Sequence, residues 1–301
     1  MGACGRRPGD SSPAVAGDLV YVGLRDGRLI ALNAANGELG WEFQTEGSIF
    51  SSPAVHRGEL YVASSGGVLH ALDAVTGLER WRFETDGRLI SSPAAYEQWV
   101  AVTSHDRYLY ILDSNTGRPA LKFKTASAAG SPVFDEDFLF LADATGVIRS
   151  IDWRKQNRRF ERLILRFKIQ MAAWGLTDVI PNQAGYVWGI GTGKSSFIGA
   201  PVVAKEIVYL ASTTGRLLAL DKATGETVWE YDTAGSISGS PSVAGETVYI
   251  GDSLGRLYAL DAISGERLWE FPVGGAISST PVIAGGVIYF SSMDGNIYAV
   301  E

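Results

Sequence analysis

The chain has 301 residues, of which 46% are hydrophobic, a net charge of −7 and a single cysteine, Cys4. It holds no uninterrupted apolar stretch of the roughly 18 residues that a membrane-spanning helix needs. Its acidic balance argues against a surface built to grip nucleic-acid phosphates, and one thiol cannot form an internal disulfide framework.

The first ten residues, 1–10, are poor strand formers and read as an N-terminal tail. Gly2-Ala3-Cys4-Gly5 has the form of the end of a bacterial lipoprotein signal but lacks the basic and apolar regions that precede one, so lipidation of Cys4 and a plain free thiol both stay open. From Ser11 onward a proline returns at Pro13, Pro53, Pro93, Pro132, Pro201, Pro241 and Pro281, with spacings of 40, 40, 39, 69, 40 and 40 residues. A second ladder, Tyr21, Tyr61, Ala101, Phe140, Tyr209, Tyr249 and Tyr289, keeps step with it, so one supersecondary unit is written seven times.

Within a unit the runs are short, β-branched and aromatic, as in Leu19-Val20-Tyr21-Val22 before Asp26-Gly27, or Thr247-Val248-Tyr249-Ile250 before Leu254-Gly255. No unit has the apolar stripe of about 10 to 12 residues that a helical repeat requires. Each unit therefore reads as an antiparallel sheet, with strand A around the proline, B on the aromatic, C after the glycine and D at the end. Such sheets cannot bury both faces alone and must stack around an axis. The expected fold is all-β: a seven-bladed β-propeller of four-stranded antiparallel blades, one domain over 11–301, with blade units at about 11–49, 50–89, 90–128, 129–196, 197–237, 238–277 and 278–301. The last unit stops where strand C ends, which predicts either a three-stranded blade with a frayed edge or a truncated piece of a longer product.

One stretch breaks the period. An insert at 153–184 lies in the C–D turn of blade 4, and its basic segment from 154 to 174 carries Arg154, Lys155, Arg158, Arg159, Arg162, Arg166 and Lys168 against Glu161 alone, a local balance of +6; subtracting that from −7 leaves −13 for the rest of the chain, Asp178 included. Phe160, Leu163, Ile164, Phe167, Met171 and Trp174 recur at helical spacing, which predicts a basic amphipathic helix over roughly 155 to 175. Leu163, Leu165, Phe167, Ile169 and Met171 also alternate as a strand would, so the strand alternative stands. The insert is either a flap with solvated charges or a docking element for an acidic protein partner or an anionic membrane surface, the binding residues then being Arg154, Lys155, Arg158, Arg159, Arg162, Arg166, Phe167, Lys168 and Trp174.

The second half of each unit carries a motif, A-x-[DN]-x3-G-x3-W, complete at Ala31/Asn33/Gly37/Trp41, Ala71/Asp73/Gly77/Trp81, Ala219/Asp221/Gly225/Trp229 and Ala259/Asp261/Gly265/Trp269. Physically, the Asp or Asn caps the turn, the Gly takes positive φ and the Trp lays a ring between sheets. Trp188 is the expected counterpart in blade 4, whereas blade 3 carries Leu121 there, which predicts poorer local packing. The motif resembles the tryptophan-docking motif of the PQQ-like propeller repeat family, whose members include BamB-like assembly lipoproteins, quinoprotein dehydrogenases and sensor domains of bacterial kinases. The resemblance covers residues 11–301 apart from the insert. It implies an extracytoplasmic setting, in the periplasm or cell envelope.

Three chemical readings are excluded or weakened by residues. Gly189 to Ser195 ends in Gly193-Lys194-Ser195, but a phosphate loop needs Gly at 188, which is Trp. His56, His70 and His105 lie at different repeat positions without metal-ligand spacing. A quinoprotein dehydrogenase would hold PQQ and Ca²⁺ on the axis under a vicinal Cys-Cys pair, which this chain lacks, and the axis-facing strand A residues are the small Ser52, Ser92, Ser131, Ala200, Ser240 and Thr280. The expectation is a monomeric, non-catalytic interaction or sensing scaffold with no cofactor and no nucleic acid; the alternatives are a PQQ-dependent dehydrogenase, or a fragment of one, and a sensing domain separated from a kinase. On one rim, B–C turns and D–A loops offer Phe50, Arg88, His105, Asp106, Asp143, Phe197, Asp252 and Met293 as a protein platform. Asp26 and Asp294, which also sit on these turns, are explained by hairpin chemistry alone.

Overall fold

A computed structural model describes residues 11–126, 130–155, 161–174, 176, 182–192, 196–197 and 199–301. The tail at 1–10, with Cys4, and the positions Arg158 and Arg159 lie outside the described residues, as does the side chain of Arg162. The chain divides into two compact units, one of residues 1–137 and 152–186, the other of residues 138–151 and 187–301.

Seven sheets follow one another along the sequence, each with its strands in sequential order. Blade 1 is Ala14–Ala16, Leu19–Gly23, Arg28–Asn33 and Leu39–Gln44; blade 2 is Ala54–His56, Glu59–Ala63, Val68–Asp73 and Glu79–Glu84; blade 3 is Ala94–Tyr96, Trp99–Ser104, Tyr108–Asp113 and Pro119–Lys124. Blade 4 is Val133–Phe134, Leu139–Ala142, Val147–Ile151 and Tyr186–Gly191; blade 5 is Val202–Ala204, Ile207–Ala211, Arg216–Asp221 and Thr227–Asp232; blade 6 is Ser242–Ala244, Thr247–Gly251, Arg256–Asp261 and Arg267–Pro272. Blade 7 has three strands among the described residues, Val282–Ala284, Val287–Ser291 and Ile297–Val300, in keeping with a last unit that stops where strand C ends. This succession of antiparallel sheets is a seven-bladed β-propeller, with one helix, Glu161–Ala173, between strands C and D of blade 4. Of the two periods in the insert the helical one is realised: the segment has no Gly or Pro, and only Ile164 and Ile169 are β-branched.

In blade 2 strands B and C are buried on both faces over Leu60–Ala63 and Leu69–Leu72, whereas strand D alternates and turns its charged face outward. The C–D turn explains the motif. In blade 2 the Asp73 carboxylate accepts from the backbone N–H of Val75 and Thr76 and from the Thr76 hydroxyl, while Gly77 N–H donates to Asp73 C=O at 2.8 Å. Gly77 lies at φ 72°, and a Cβ added there would come within 2.6 Å of the Trp41 ring of blade 1. A bulge then places Ala71 opposite Trp81 while Leu72 pairs with Glu79, and the same register shift recurs in blades 1, 3, 5 and 6. The shift re-aims the tryptophan toward the next sheet.

Four docking indoles donate to the C–D turn of the following blade: Trp41 Nε1 to Ala74 C=O at 3.2 Å, Trp81 to Ser114 at 2.5 Å, Trp188 to Lys222 at 3.1 Å and Trp229 to Ala262 at 3.0 Å. The strand B aromatic of the same blade packs against it, with Tyr21–Trp41 and Tyr209–Trp229 centroids 5.8 Å apart and Tyr249–Trp269 at 5.9 Å. Tyr21 and Tyr209 donate to the same carbonyls as their tryptophans, Ala74 and Ala262.

Blade 3 has Leu121 and Ala101 in place of that pair, and both are buried; Trp153, two residues after strand C of blade 4, is a buried aromatic that the motif does not include. Trp153 packs edge-on to Tyr96 at 5.8 Å and Phe134 at 6.0 Å and donates to Asp135 C=O.

Candidate functional site

The residues proposed for binding fall into two groups, the insert and the turns. In the insert, Arg154 is held internally: its guanidinium bonds Asp152 at 3.0 Å and the Asp137 carbonyl at 3.1 Å and lies over the Trp153 ring, and the hydrogen bond to Asp152 raises its pKa. Lys155 pairs with the other oxygen of Asp152 at 3.8 Å. These two cations therefore neutralise a turn carboxylate rather than stand out as free ligands.

The helix is different. Leu163, Ile164, Arg166, Phe167, Lys168, Ile169 and Trp174 are all exposed, Phe167 at 62% and Trp174 at 65%. Among the described residues of the helix only Leu165, Met171 and Ala172 are half-buried. Trp174 N–H still donates to Gln170 C=O at 3.0 Å, so the ring continues the helical face. The returning chain is fixed by Gln183, whose amide accepts from Lys124 N–H at 2.7 Å and donates to Lys124 C=O at 3.0 Å, pairing with the outer strand of blade 3 as a strand residue would. Sequence reasoning had no signal for Gln183. Trp153 was visible in principle, as a tryptophan standing where the sibling turns carry Ala34, Ala74, Ser114, Lys222 and Ala262.

On the turns the structure separates the expected rim into inward and outward residues. Asp143 is buried and its carboxylate bonds Arg149 Nη1 at 2.6 Å, the Thr145 hydroxyl and Val147 N–H; burial raises its pKa, the donors lower it, and the net shift is downward. Asp252 is likewise buried, accepting from Leu254 and Arg256 N–H, from Gly235 N–H of the preceding loop and from the Tyr258 hydroxyl. Phe197 is buried in the core shared with Phe140 and Trp188. Asp106 is half-buried and holds Tyr108 N–H and the Tyr110 hydroxyl; burial first, and then this bond, raises the tyrosine's pKa. Phe50, half-buried, has the Arg25 guanidinium 5.8 Å from its ring centre. Arg88, His105 and Met293 face solvent, Met293 at 75%.

The histidines do not converge. His56 Nε2 lies 3.0 Å from the Glu97 carbonyl, His105 is exposed, and buried His70 sits between Glu46 and Glu79, with its two ring nitrogens 2.9 and 2.8 Å from their carboxylates. Two surface cavities open beside blades 2 and 3. One of about 340 Å³ is lined by Glu84, Asp86, Tyr110 and Lys122, and one of about 260 Å³ by Arg57, Glu59, Arg80 and Asn115. In the first, Lys122 Nζ lies 4.2 Å from the Tyr108 ring centre and 4.7 Å from that of Tyr110.

The strand A positions form rows of blade-to-blade hydrogen bonds. Ser52, Ser92 and Ser131 hydroxyls accept from the backbone N–H of Ser12, Ser52 and Ser92 at 2.9 to 3.0 Å, and Ser240 and Thr280 accept from Ala200 and Ser240 at 2.9 and 3.1 Å. The serine one place earlier faces its own blade, as where Ser51 Oγ donates to Ala63 C=O at 2.8 Å.

Sheets joined by tryptophan-docking turns define a PQQ-like β-propeller. The chain belongs to the family described as outer membrane protein assembly factor BamB, whose model matches residues 4–162 and 180–301. The gap in that match, 163–179, contains most of the helix. No curated protein sequence matches the chain. Among solved structures, BamB from Moraxella catarrhalis has a TM-score of 0.70 at 20% identity, over 94% of this chain and 79% of its own. The computationally designed Ika8 protein has a TM-score of 0.78 at 14% identity, over 96% and 82%. A europium-containing methanol dehydrogenase has a TM-score of 0.69 at 14% identity, over 96% and 72%. At these identities the likeness is one of fold. Among the described residues, no helix is long and apolar enough to cross a membrane.

Proposed function

We propose that the protein is a non-catalytic propeller that acts as a protein-interaction scaffold in the bacterial cell envelope, in the assembly of outer-membrane proteins. The observation that carries this reading is the use made of the strand A hydroxyls. The positions where related dehydrogenases hold their quinone are small here, and their oxygens are engaged in blade-to-blade hydrogen bonds. PQQ with Ca²⁺ calls for converging carboxylate donors. The buried rim carboxylates Asp143 and Asp252 are already saturated by Arg149, Tyr258 and turn N–H groups, so the donor set does not fit that pair. What remains available to a partner is, in the unit of blades 1 to 3, the outward pair Arg88 and His105, whose backbones are joined by the His105 N–H to Arg88 C=O bond at 3.0 Å.

The test is complementation. Expression in a bacterium deprived of its own BamB is expected to restore outer-membrane protein levels toward normal, and an Arg88→Glu/His105→Glu variant is expected to do so less well at equal abundance. Dye-linked alcohol oxidation, or a new absorbance band on adding PQQ and Ca²⁺, would overturn the reading in favour of a quinoprotein.

A further inference from the structure

Among the described elements, the helix Glu161–Ala173 is the one that the propeller repeat does not require, and most of it falls in the gap of the family match. At 3.6 residues per turn, Leu163, Ile164, Phe167 and Trp174 fall within an arc of about 100° on one side of it. All four are exposed, and of the apolar residues in the arc only Met171 is half-buried, so most of the arc is left uncovered among the described residues. Arg166 and Lys168 lie on opposite borders of that arc; both are exposed, and neither makes an ion pair among the described residues. From Arg162 to Trp174 the sequence has no acidic residue, in a protein whose remainder outside the basic segment carries −13.

We infer that this helix docks on an anionic lipid surface, lying in the interfacial plane with Leu163, Ile164, Phe167 and Trp174 sunk among the upper acyl chains and Arg166 and Lys168 extended to the phosphates. The charge balance points to an anionic occupant, because basic borders against an acidic remainder attract one face of the molecule and repel the others. The shape points to a flat one. A helix with almost every side chain exposed is convex and is not part of a groove, and an aromatic-rich arc edged by long cations is the pattern of an interfacial anchor. Its length, roughly 20 Å for 13 residues, is too short to span a bilayer and sufficient to lie in one leaflet. The Gln183 clasp and Trp153 hold the two ends of the insert to blades 3 and 4, so docking would fix the orientation of the blades to which it is tied.

This inference does not depend on the assembly role. The full chain is mixed with vesicles of phosphatidylcholine containing about 30% phosphatidylglycerol, or with phosphatidylcholine alone, and the bound fraction is read by flotation. Binding to the anionic vesicles is expected to exceed binding to the neutral ones by roughly tenfold or more, and to fall as salt is raised. Arg166→Glu/Lys168→Glu should remove that excess, and Leu163→Glu/Phe167→Glu should abolish binding. The urea midpoint should stay unchanged for both, since all four side chains are exposed. A blue shift of indole fluorescence on anionic vesicles should be lost in Trp174→Phe. Equal partition to both vesicles, no binding, or wild-type binding by the variants overturns the inference. So does a wild-type dimer that either variant turns into a monomer, which would assign the arc to a second copy, or loss of an acidic protein partner with vesicle binding intact.

Discussion

Gly37 and Gly77 occupy the same place in successive C–D turns, at φ 74° and 72°, but only Gly77 faces a tryptophan from the preceding blade; nothing lies within 4 Å of a Cβ built on Gly37. The pair separates two costs that the motif glycine usually combines. Gly37→Ala should lower stability by about 1 kcal/mol through the left-handed backbone alone. Gly77→Ala should lose about 3 kcal/mol, because a methyl 2.6 Å from the Trp41 ring must also push the indole aside. Urea unfolding of the two variants under one condition measures the difference, and equal losses would refute the docking account of the motif. Both glycines and the docking tryptophans were legible in the sequence because they repeat at fixed offsets. The contacts of Trp153 and Gln183 were not, since each is made once in the chain, and a singular contact leaves no periodic trace.

The turns and strands of each blade behave as interchangeable parts with small edits. Asp73, Asp221 and Asp261 all have lowered pKa values, first because the backbone N–H of the residue three places on, Thr76, Thr224 or Ser264, donates to the carboxylate; Asp73, which also bonds Arg80, falls to about 2. A carboxyl that titrates lower in the folded state contributes fully above the unfolded pKa of about 4, and its contribution disappears as pH falls through the folded value. Urea midpoints should therefore hold from pH 7 to about 4.5 and decline steadily toward pH 2. Blade 1 supplies a control, because Asn33 accepts the same pair of turn N–H bonds, from Ala35 and Asn36, without a charge. Asp73→Asn should keep the turn and flatten part of that acid slope. At blade 3, Trp153→Ala should cost about 3 to 5 kcal/mol, as expected for emptying a buried aromatic site, and should weaken the Tyr96 and Phe134 packing read by near-ultraviolet circular dichroism. A loss below about 1 kcal/mol would mean that Leu121 and Ala101 suffice without it. The insert was half-legible at this scale: its apolar residues fit two periods, and the choice of helix rests on the scarcity of Gly, Pro and β-branched residues in a segment with no neighbouring strand to pair with.

Across the whole molecule, the repeat leaves one blade unlike the others. The third strand of blade 7, Ile297–Val300, is the last of its sheet among the described residues, and Ile297 is 81% exposed beside half-buried Tyr298 and Val300. An apolar edge strand of this kind invites pairing with another chain. Ile297→Lys should reduce concentration-dependent light scattering while leaving the urea midpoint of dilute protein in place; scattering equal to that of the wild type would show that the edge is already protected. The sequence by itself determined the number of blades, the order of strands within a unit and the positions of the docking tryptophans, because a unit repeated at a fixed period places the same residues at the same offsets every time. Only the tertiary structure decided that Asp143, Asp252 and Phe197 point inward while Arg88, His105 and Met293 face solvent, that Trp153 packs against Tyr96 and Phe134, and that the helix leaves most of its apolar arc uncovered. Those outcomes depend on which atoms meet across segments far apart in the chain, and spacing along the chain carries no record of that.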